Sequence, residues 1–137
     1  MSDNEELIEI TDLDRPYWEA MAGGTLTFQQ CRNCGHKWLP PREECPSCLS
    51  PDHDWTPASG RGKLVSWVVY HHSFNEITKD WIPYNVAIVE LEEGPRLISN
   101  IVDAENDALE AGQTLRLQPT PRGNVVLPCF SIEEEMS

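Results

Sequence analysis

Two Cys-x-x-Cys pairs stand ten residues apart in the segment "CRNCGHKWLPPREECPSC", which covers residues 31–48. A Cys-x-x-Cys turn lets two sulfurs converge on one ion while backbone amides point towards them. Gly35 suits the conformation of the first turn, and Pro46 stiffens the second. The spacing predicts a tetrahedral site formed by Cys31, Cys34, Cys45 and Cys48.

Four thiolates leave no open position on the ion, so the predicted site contributes folding energy rather than Lewis-acid chemistry. We expect one structural Zn²⁺ per chain. Sulfur ligands and geometry alone leave a rubredoxin-like iron site as an alternative. His36 and His53 lie nearby in the sequence and are expected to be loop histidines that face solvent.

A second group of polar and aromatic side chains crowds the segment "YHHSFNEITKDWIPY", residues 70–84. Its candidate binding residues are His71, His72, Phe74, Trp81 and Tyr84. Such a loop suits the walls and polar anchors of a ligand site, but its aromatics could equally cap the end of a barrel. We found no nucleophile with a base and an orienting group, so no catalytic residue is predicted. Cys129 alternates with apolar residues and is expected to be a buried, inert thiol.

The chain is acidic, with 23 Asp and Glu against 10 Lys and Arg, a formal net charge of −13. Much of the excess lies in the first 14 residues and in residues 133–135. This charge disfavours nucleic acid as a partner, because phosphate backbones require clustered Lys and Arg. No apolar run is long enough for a membrane span, and the N-terminus does not resemble a secretory signal, so a cytoplasmic location is expected. In a reducing compartment, paired cysteines favour metal over disulfides.

A short helix is predicted in "TDLDRPYWEAMAGGTL", residues 11–26. Asp12 or Asp14 can accept hydrogen bonds from the first-turn amides, Pro16 is tolerated there, and the Gly pair at 23–24 ends the helix. The apolar stripe formed by Tyr17, Trp18 and Met21 must dock on this chain or on a partner, because so short a helix is unstable alone.

Beyond residue 57 the hydrophobic period becomes two, which is typical of strands. Five strands are predicted, at residues 63–72, 84–91, 96–103, 114–119 and 124–130. Their number and length favour a mainly β protein with a five-stranded OB-fold barrel. The segment "TPASGRG", residues 56–62, is predicted to be a hinge. The predicted order is an acidic tail and helix (1–25), a zinc ribbon (26–57), the OB-fold (58–131) and an acidic tail (132–137).

Several motifs in this order resemble a known family, catalogued as domain of unknown function family thirty-five. The resemblance rests on "YWEAMAGGTLTFQQCRNCG", "LPPREECPSC", "SGRGKLVSWVVYHH", "PYNVAIVELEEGPRLISNIVD" and "LEAGQTLRLQ" before "LPCF". It covers nearly the whole chain. Members of this family have an N-terminal helix, a rubredoxin-like zinc ribbon and a C-terminal OB-fold, and they are associated with acyl-CoA enzymes.

The resemblance implies an accessory subunit that is not an enzyme on its own. It implies a thiolase-like partner, such as a thiolase, an acyltransferase or a retro-aldolase, for which the OB-fold helps to bind acyl-CoA or completes the active site. In that architecture the helix lies beside the ribbon, which makes Trp18 a candidate partner contact. Two alternatives come from other classes of protein: a nucleic-acid-binding OB-fold and a rubredoxin-like electron carrier.

Overall fold

The computed structural model describes residues 9–71 and 83–133, which form one α-helix and eight strands in two sheets. The elements are α1 (Arg15–Ala22), β1 (Thr27–Cys31), β2 (Lys37–Trp38), β3 (His53–Pro57), β4 (Arg61–Tyr70), β5 (Tyr84–Leu91), β6 (Arg96–Ser99), β7 (Thr114–Arg122) and β8 (Val125–Ile132). Within these two described ranges, no helix has the length and apolarity needed to cross a membrane.

The helix α1 begins with Pro16 in its first turn and ends at Gly23, as the sequence predicts. The predicted side-chain cap is absent: neither acid bonds a first-turn amide. The Asp14 carboxylate accepts bonds from the Thr11 N–H at 2.8 Å and the Thr11 hydroxyl at 3.0 Å. Asp12 accepts a bond from the Arg15 guanidinium at 3.2 Å. Both carboxylates are therefore used in the turn that precedes the helix.

The smaller sheet has the antiparallel order β2-β1-β3 and forms the ribbon. Its central strand β1 is almost entirely buried. Cys31, Cys45 and Trp38 form a small apolar cluster of their own inside the ribbon. The larger part of the core lies elsewhere, so the ribbon depends on its cysteines for much of its interior.

The larger sheet has the order β6-β5-β4-β7-β8, and it curls so that the segment directly after β6 meets β8. A parallel bridge joins Ile101 to Phe130, with the Val102 N–H bonded to the Phe130 carbonyl at 2.8 Å. Five strands in this order, closed in this way, confirm the predicted OB-fold. Strands β5, β6 and β7 begin where the sequence predicts, but β6 ends at Ser99 rather than at residue 103, while β7 and β8 run on past their predicted ends.

The helix and the barrel share one core, and the partly buried Leu39 and Trp55 of the ribbon pack against it. Tyr17 and Met21 of α1 pack in the same cluster as Leu26, Leu64 of β4 and Phe130 of β8. All three residues of the predicted stripe therefore dock on this chain itself, because the half-buried Trp18 packs against the same cluster. This packing provides the tertiary contacts that an eight-residue helix needs.

The predicted hinge is fixed at several points. Ser59 donates its N–H to Glu93 at 2.6 Å and its hydroxyl to Glu92 at 2.8 Å. The Ala58 N–H bonds the Leu26 carbonyl at 2.8 Å, and the Gly60 carbonyl accepts from the barrel at 2.6 Å. The connection between ribbon and barrel is consequently a short, hydrogen-bonded link.

Candidate metal centre and ligand site

The four predicted cysteines meet at one point, where their sulfurs all lie within 4.8 Å of one another. The Sγ atoms of Cys31 and Cys48 are 3.5 Å apart, and those of Cys34 and Cys45 are 3.6 Å apart. A tetrahedral ion with bonds of about 2.3 Å separates its sulfurs by roughly 3.8 Å. The four residues therefore fit a tetrahedral thiolate site.

Each Cys-x-x-Cys turn directs backbone N–H groups at its first sulfur. The Cys31 sulfur accepts from the N–H groups of Asn33 at 3.3 Å and Cys34 at 3.4 Å. The Cys45 sulfur accepts from Ser47 at 3.4 Å. Such donors stabilise a thiolate, so they favour the ligand form of cysteine.

The two turns differ in the residue that follows the second cysteine. Gly35 takes a φ of 79° after Cys34, as the sequence predicts. The equivalent residue of the second turn is Leu49, with a φ of 65° and a side chain that is 68% exposed. Leucine in the left-handed region is strained by about 1 kcal/mol or more relative to glycine. The two Cys-x-x-Cys turns, called knuckles below (residues 31–35 and 45–49), therefore share a backbone geometry rather than a glycine.

Polar contacts around the site hold the ribbon loops in place. The Ser50 N–H donates to the Cys48 sulfur, and this bond, with a weaker one from Asn33, lowers the pKa of that thiol to about 6. The Arg32 guanidinium donates to the Asp54 carboxylate at 2.6 and 2.9 Å and lowers the pKa of that carboxyl group. This exposed pair joins the first knuckle to β3.

The buried side chain of Gln29 binds the loop that leads to the second knuckle. The Gln29 carboxamide accepts the Arg42 N–H at 2.7 Å and donates to the Arg42 carbonyl at 2.8 Å. Its nitrogen also lies 2.9 Å from Nε2 of His53. His53 is thus half-buried in β3 rather than in a solvent-facing loop, so that expectation was wrong, whereas His36 is exposed.

The predicted binding residues are only partly within the described ranges. His72, Phe74 and Trp81 lie outside the described residues. His71 is exposed directly after β4. Tyr84 begins β5, and its ring stacks on that of Tyr70 with centroids 5.2 Å apart.

Tyr84 lies at the edge of a cavity of about 470 Å³ at one end of the barrel. The wall combines residues from the start of β5, the segment after β6, and β7 and β8: Tyr84, Asn85, Asn100, Asp103, Asn106, Thr120, Arg122 and Cys129. Asn85 fixes this wall, because its amide bonds the Ile101 main chain at 2.7 and 2.9 Å and Asn106 at 3.0 Å. The wall is therefore more polar than the apolar channel that an acyl group alone would need.

Sequence reasoning missed most of this wall. The signal that could have found it is the group of side-chain amides and carboxylates in the run "NIVDAEND", residues 100–107, the first half of which falls in the strand predicted at residues 96–103. Asp103 in that run takes a φ of 58°, a conformation that is uncommon for residues other than glycine.

Trp18 does not belong to this cavity. It lines a separate groove of about 360 Å³ between α1 and the β7–β8 hairpin, beside Pro121, Val125 and Val126. Its indole nitrogen is buried and has no hydrogen-bond partner among the described residues. The candidate partner contact and the candidate ligand residues are thus on different surfaces.

Cys129 is 3% exposed, and burial is the main cause that raises the pKa of its thiol. A raised pKa disfavours the nucleophilic thiolate. The inert role predicted from its apolar setting agrees with this environment.

A ribbon whose four clustered cysteines could hold one metal ion, joined to an OB-fold with a cavity at the barrel end, is typical of a binding or scaffold protein rather than of an enzyme with its own nucleophile. Comparisons with known proteins specify the family. The profile described as "ChsH2, rubredoxin-like zinc ribbon domain" matches residues 18–54, and "ChsH2, C-terminal OB-fold domain" matches residues 55–118. The chain belongs to the DUF35 family, which confirms the resemblance found in its sequence.

Two relatives and one solved structure match this chain over most of its length. A "DUF35 domain-containing scaffold protein" of Methanothermobacter thermautotrophicus is 40% identical over 93 residues, 67% of this chain and 69% of that protein. The "Benzoylsuccinyl-CoA thiolase subunit BbsA" of Thauera aromatica is 30% identical over 103 residues, 73% of this chain and 69% of that subunit. The structure of an "Ltp2-ChsH2(DUF35) aldolase" contains a chain with 33% identity and a TM-score of 0.81, and the match covers 91% of this chain and 98% of that one.

A longer relative carries this unit as one part of a larger protein. The "Probable enoyl-CoA hydratase alpha subunit" of Thermomonospora curvata is 38% identical over 105 residues, 76% of this chain. The match spans 32% of that subunit, so the chain corresponds to about a third of its length. The relatives are named as scaffold proteins or as subunits of enzymes.

Proposed function

We propose that this chain is a non-catalytic accessory subunit of an acyl-CoA-processing complex. It docks on a thiolase-like enzyme, which is a thiolase, an acyltransferase or a retro-aldolase, and helps to bind acyl-CoA or completes the active site. The observation that carries this proposal is the match at a TM-score of 0.81 to the DUF35 chain of an aldolase assembly. The thiolase subunit among the relatives supports the same class of partner.

The metal centre has a structural role in this proposal. Zn²⁺ held by Cys31, Cys34, Cys45 and Cys48 cross-links the two knuckles and adds its binding energy to the folding of the ribbon. The small ribbon cluster of three residues supports this role, because so small an interior cannot stabilise the ribbon alone. The four residues act only as ligands.

The ligand site is assigned to the barrel end. Acyl-CoA offers amide groups along its pantetheine arm and an apolar acyl chain, and recognition of both requires polar anchors beside apolar walls. The cavity beside Tyr84 supplies polar groups from Arg122 and Thr120. His71, His72, Phe74 and Trp81 are assigned to the same site from their place in the sequence between β4 and β5.

Kinetics of the reconstituted complex test this function. The isolated chain should show no turnover with any acyl-CoA, because chemistry belongs to the partner. In the complex, His72→Ala and Trp81→Ala should each raise KM several-fold with a smaller effect on kcat, since they weaken substrate engagement. Turnover by the chain alone, or an unaltered KM in both variants, would contradict the proposal. Gln118→Ala, on the exposed side of β7, is the matched control.

A further inference from the structure

The outer side of the barrel carries an apolar face across three neighbouring strands. The face consists of Val68 and Tyr70 on β4, Tyr84, Val86 and Ile88 on β5, and Ile98 on β6. Side chains alternate along these strands, so the residues between them, such as Ala87, Val89 and Leu97, point into the core instead.

Strand register makes the face continuous. Tyr70 lies opposite Tyr84, Val68 opposite Val86, and Ile88 opposite Ile98. Cross-strand neighbours of this kind have Cβ atoms about 4.5–5.5 Å apart. The six side chains therefore form one surface rather than scattered apolar positions.

The face is open to solvent at most of its positions. Ile98 is 74% exposed and Val68 55%, while Ile88 and Tyr70 are 38% and 37% exposed. The solvated face of an antiparallel sheet is commonly polar. Single exposed apolar residues are ordinary, but a contiguous apolar patch rimmed by polar residues is typical of an interaction site.

Charged groups stop at one border of the face. Glu90 and Arg96 form an ion pair at 3.7 Å beside Lys63. None of the six residues of the face carries a charge, although the chain has a net charge of −13. The partner of this surface must accordingly be uncharged where it makes contact, which disfavours a polyanion such as nucleic acid.

Strand β6, the edge strand of the face, has main-chain groups that point away from the sheet. The Leu91 N–H bonds the Pro95 carbonyl at 2.8 Å, and the register then places Val89 and Leu97 in the next hydrogen-bonded pair. The N–H and C=O groups of Arg96 and Ile98 therefore point away from β5. No described residue bonds them through its backbone, so this edge can add polar contacts to an apolar docking surface.

Shape argues against a second copy as the occupant. The face lies on the convex outside of a curled sheet, and two convex faces touch over a small area, whereas a standard interface takes about 800 Å² from each partner. A concave apolar surface on a larger subunit covers such a face better, with the rest of the interface supplied around it.

We propose that this apolar face is the surface that docks into an uncharged, concave, apolar site on the thiolase-like subunit. The proposal rests on the accessory function above and specifies where the partner binds. It differs from the assignment of Trp18, which lies in the groove between α1 and the β7–β8 hairpin. Ile98 is the main contact residue in this proposal, because it is the most exposed residue of the face and lies on the edge strand β6.

The test uses the full chain expressed in its native host and recovered with the thiolase-like subunit that accompanies it, identified by mass spectrometry. Ile98→Asp and Val68→Asp place a charge on the face, and each should reduce the retained subunit at least tenfold. Gln118→Asp adds the same charge at an exposed position of β7 outside the face and should leave retention unchanged. Equal unfolding temperatures would show that the exposed substitutions leave the fold intact.

The outcomes distinguish failure of the proposed docking face from failure of the proposed accessory function. Equal retention by the wild type and both face variants would overturn the docking face and leave the accessory function standing. A wild-type chain that retains no acyl-CoA enzyme would overturn the accessory function and the partner named here. A wild-type homodimer in light scattering that Ile98→Asp dissociates would assign the face to a second copy and overturn the proposal, as would single-stranded nucleic acid binding lost in Tyr70→Ala.

Discussion

At the scale of single residues, Gln29 shows how one buried polar side chain can position a metal loop. It is fully buried in β1, yet its carboxamide makes a reciprocal pair of bonds with the Arg42 main chain. Residue 42 lies between the two knuckles, three positions before Cys45. The glutamine thus fastens the loop that brings the second pair of cysteines to the first.

Gln29→Leu should destabilise the protein by roughly 1–3 kcal/mol, because it removes the partner of the Arg42 N–H and C=O from two part-buried bonds. Urea unfolding measures this loss. Gln30→Leu, the neighbouring half-buried residue on the other side of β1, is the control and should change stability by less than about 1 kcal/mol. Equal effects of the two substitutions would show that the reciprocal bonds contribute nothing.

The metal ligands and the cavity wall differ in how far sequence could predict them. Cysteine spacing is local information, so the four ligands followed directly from the motif. The wall unites Asn85 with Asn106 and Thr120, which meet only through strand register and barrel closure. Propensity and pattern do not encode such long-range pairing, and the wall therefore had to come from the structure.

At the scale of elements, the start of the barrel depends on a close crossing at Gly62. This residue of β4 pairs with Leu91 of β5 on one side and Leu115 of β7 on the other. A Cβ atom here would lie 2.7 Å from the Glu90 carbonyl oxygen and 2.9 Å from Cγ1 of Val89. The absence of a side chain allows three strands to converge.

Gly62→Ala should cost about 1–3 kcal/mol, because backbone atoms cannot move aside as a flexible side chain can. Thermal unfolding followed by far-UV circular dichroism measures it. Gly23→Ala is the matched control: its added Cβ meets nothing closer than 3.5 Å, and a change within about 0.5 kcal/mol is expected. A fully stable Gly62→Ala protein would mean that the strands separate easily at this point.

The sequence largely predicted which segments form the helix and the strands, but it did not predict how these elements pack against one another. Alternating β-branched residues predicted all five barrel strands, and the glycine pair predicted the end of α1. The same sequence left open whether the helix stripe docks internally. The structure buries Tyr17 and Met21 in the common core and leaves Trp18 half-buried in the groove, a division that helical periodicity alone does not specify.

At the scale of the whole molecule, two cores of unequal size divide the chain. The main cluster joins α1, Leu26 and the barrel, whereas the ribbon interior consists of Cys31, Trp38 and Cys45. Two of those three residues are metal ligands in our assignment. The metal should therefore govern the stability of the ribbon and have much less influence on the barrel.

Metal analysis of the purified chain should find close to one zinc per molecule, and either a chelator or Cys31→Ser should remove it. The expected consequence is local: amide hydrogens of the ribbon between residues 31 and 50 should exchange rapidly, while those of β5, β7 and β8 stay protected by the main core. Hydrogen exchange with mass spectrometry resolves the two regions, and Cys129→Ala, which removes a thiol outside the knuckles, should retain the metal. Loss of protection across the barrel on metal removal would show instead that ribbon and barrel unfold as one unit, coupled through Leu26, which precedes β1 and packs in the main core.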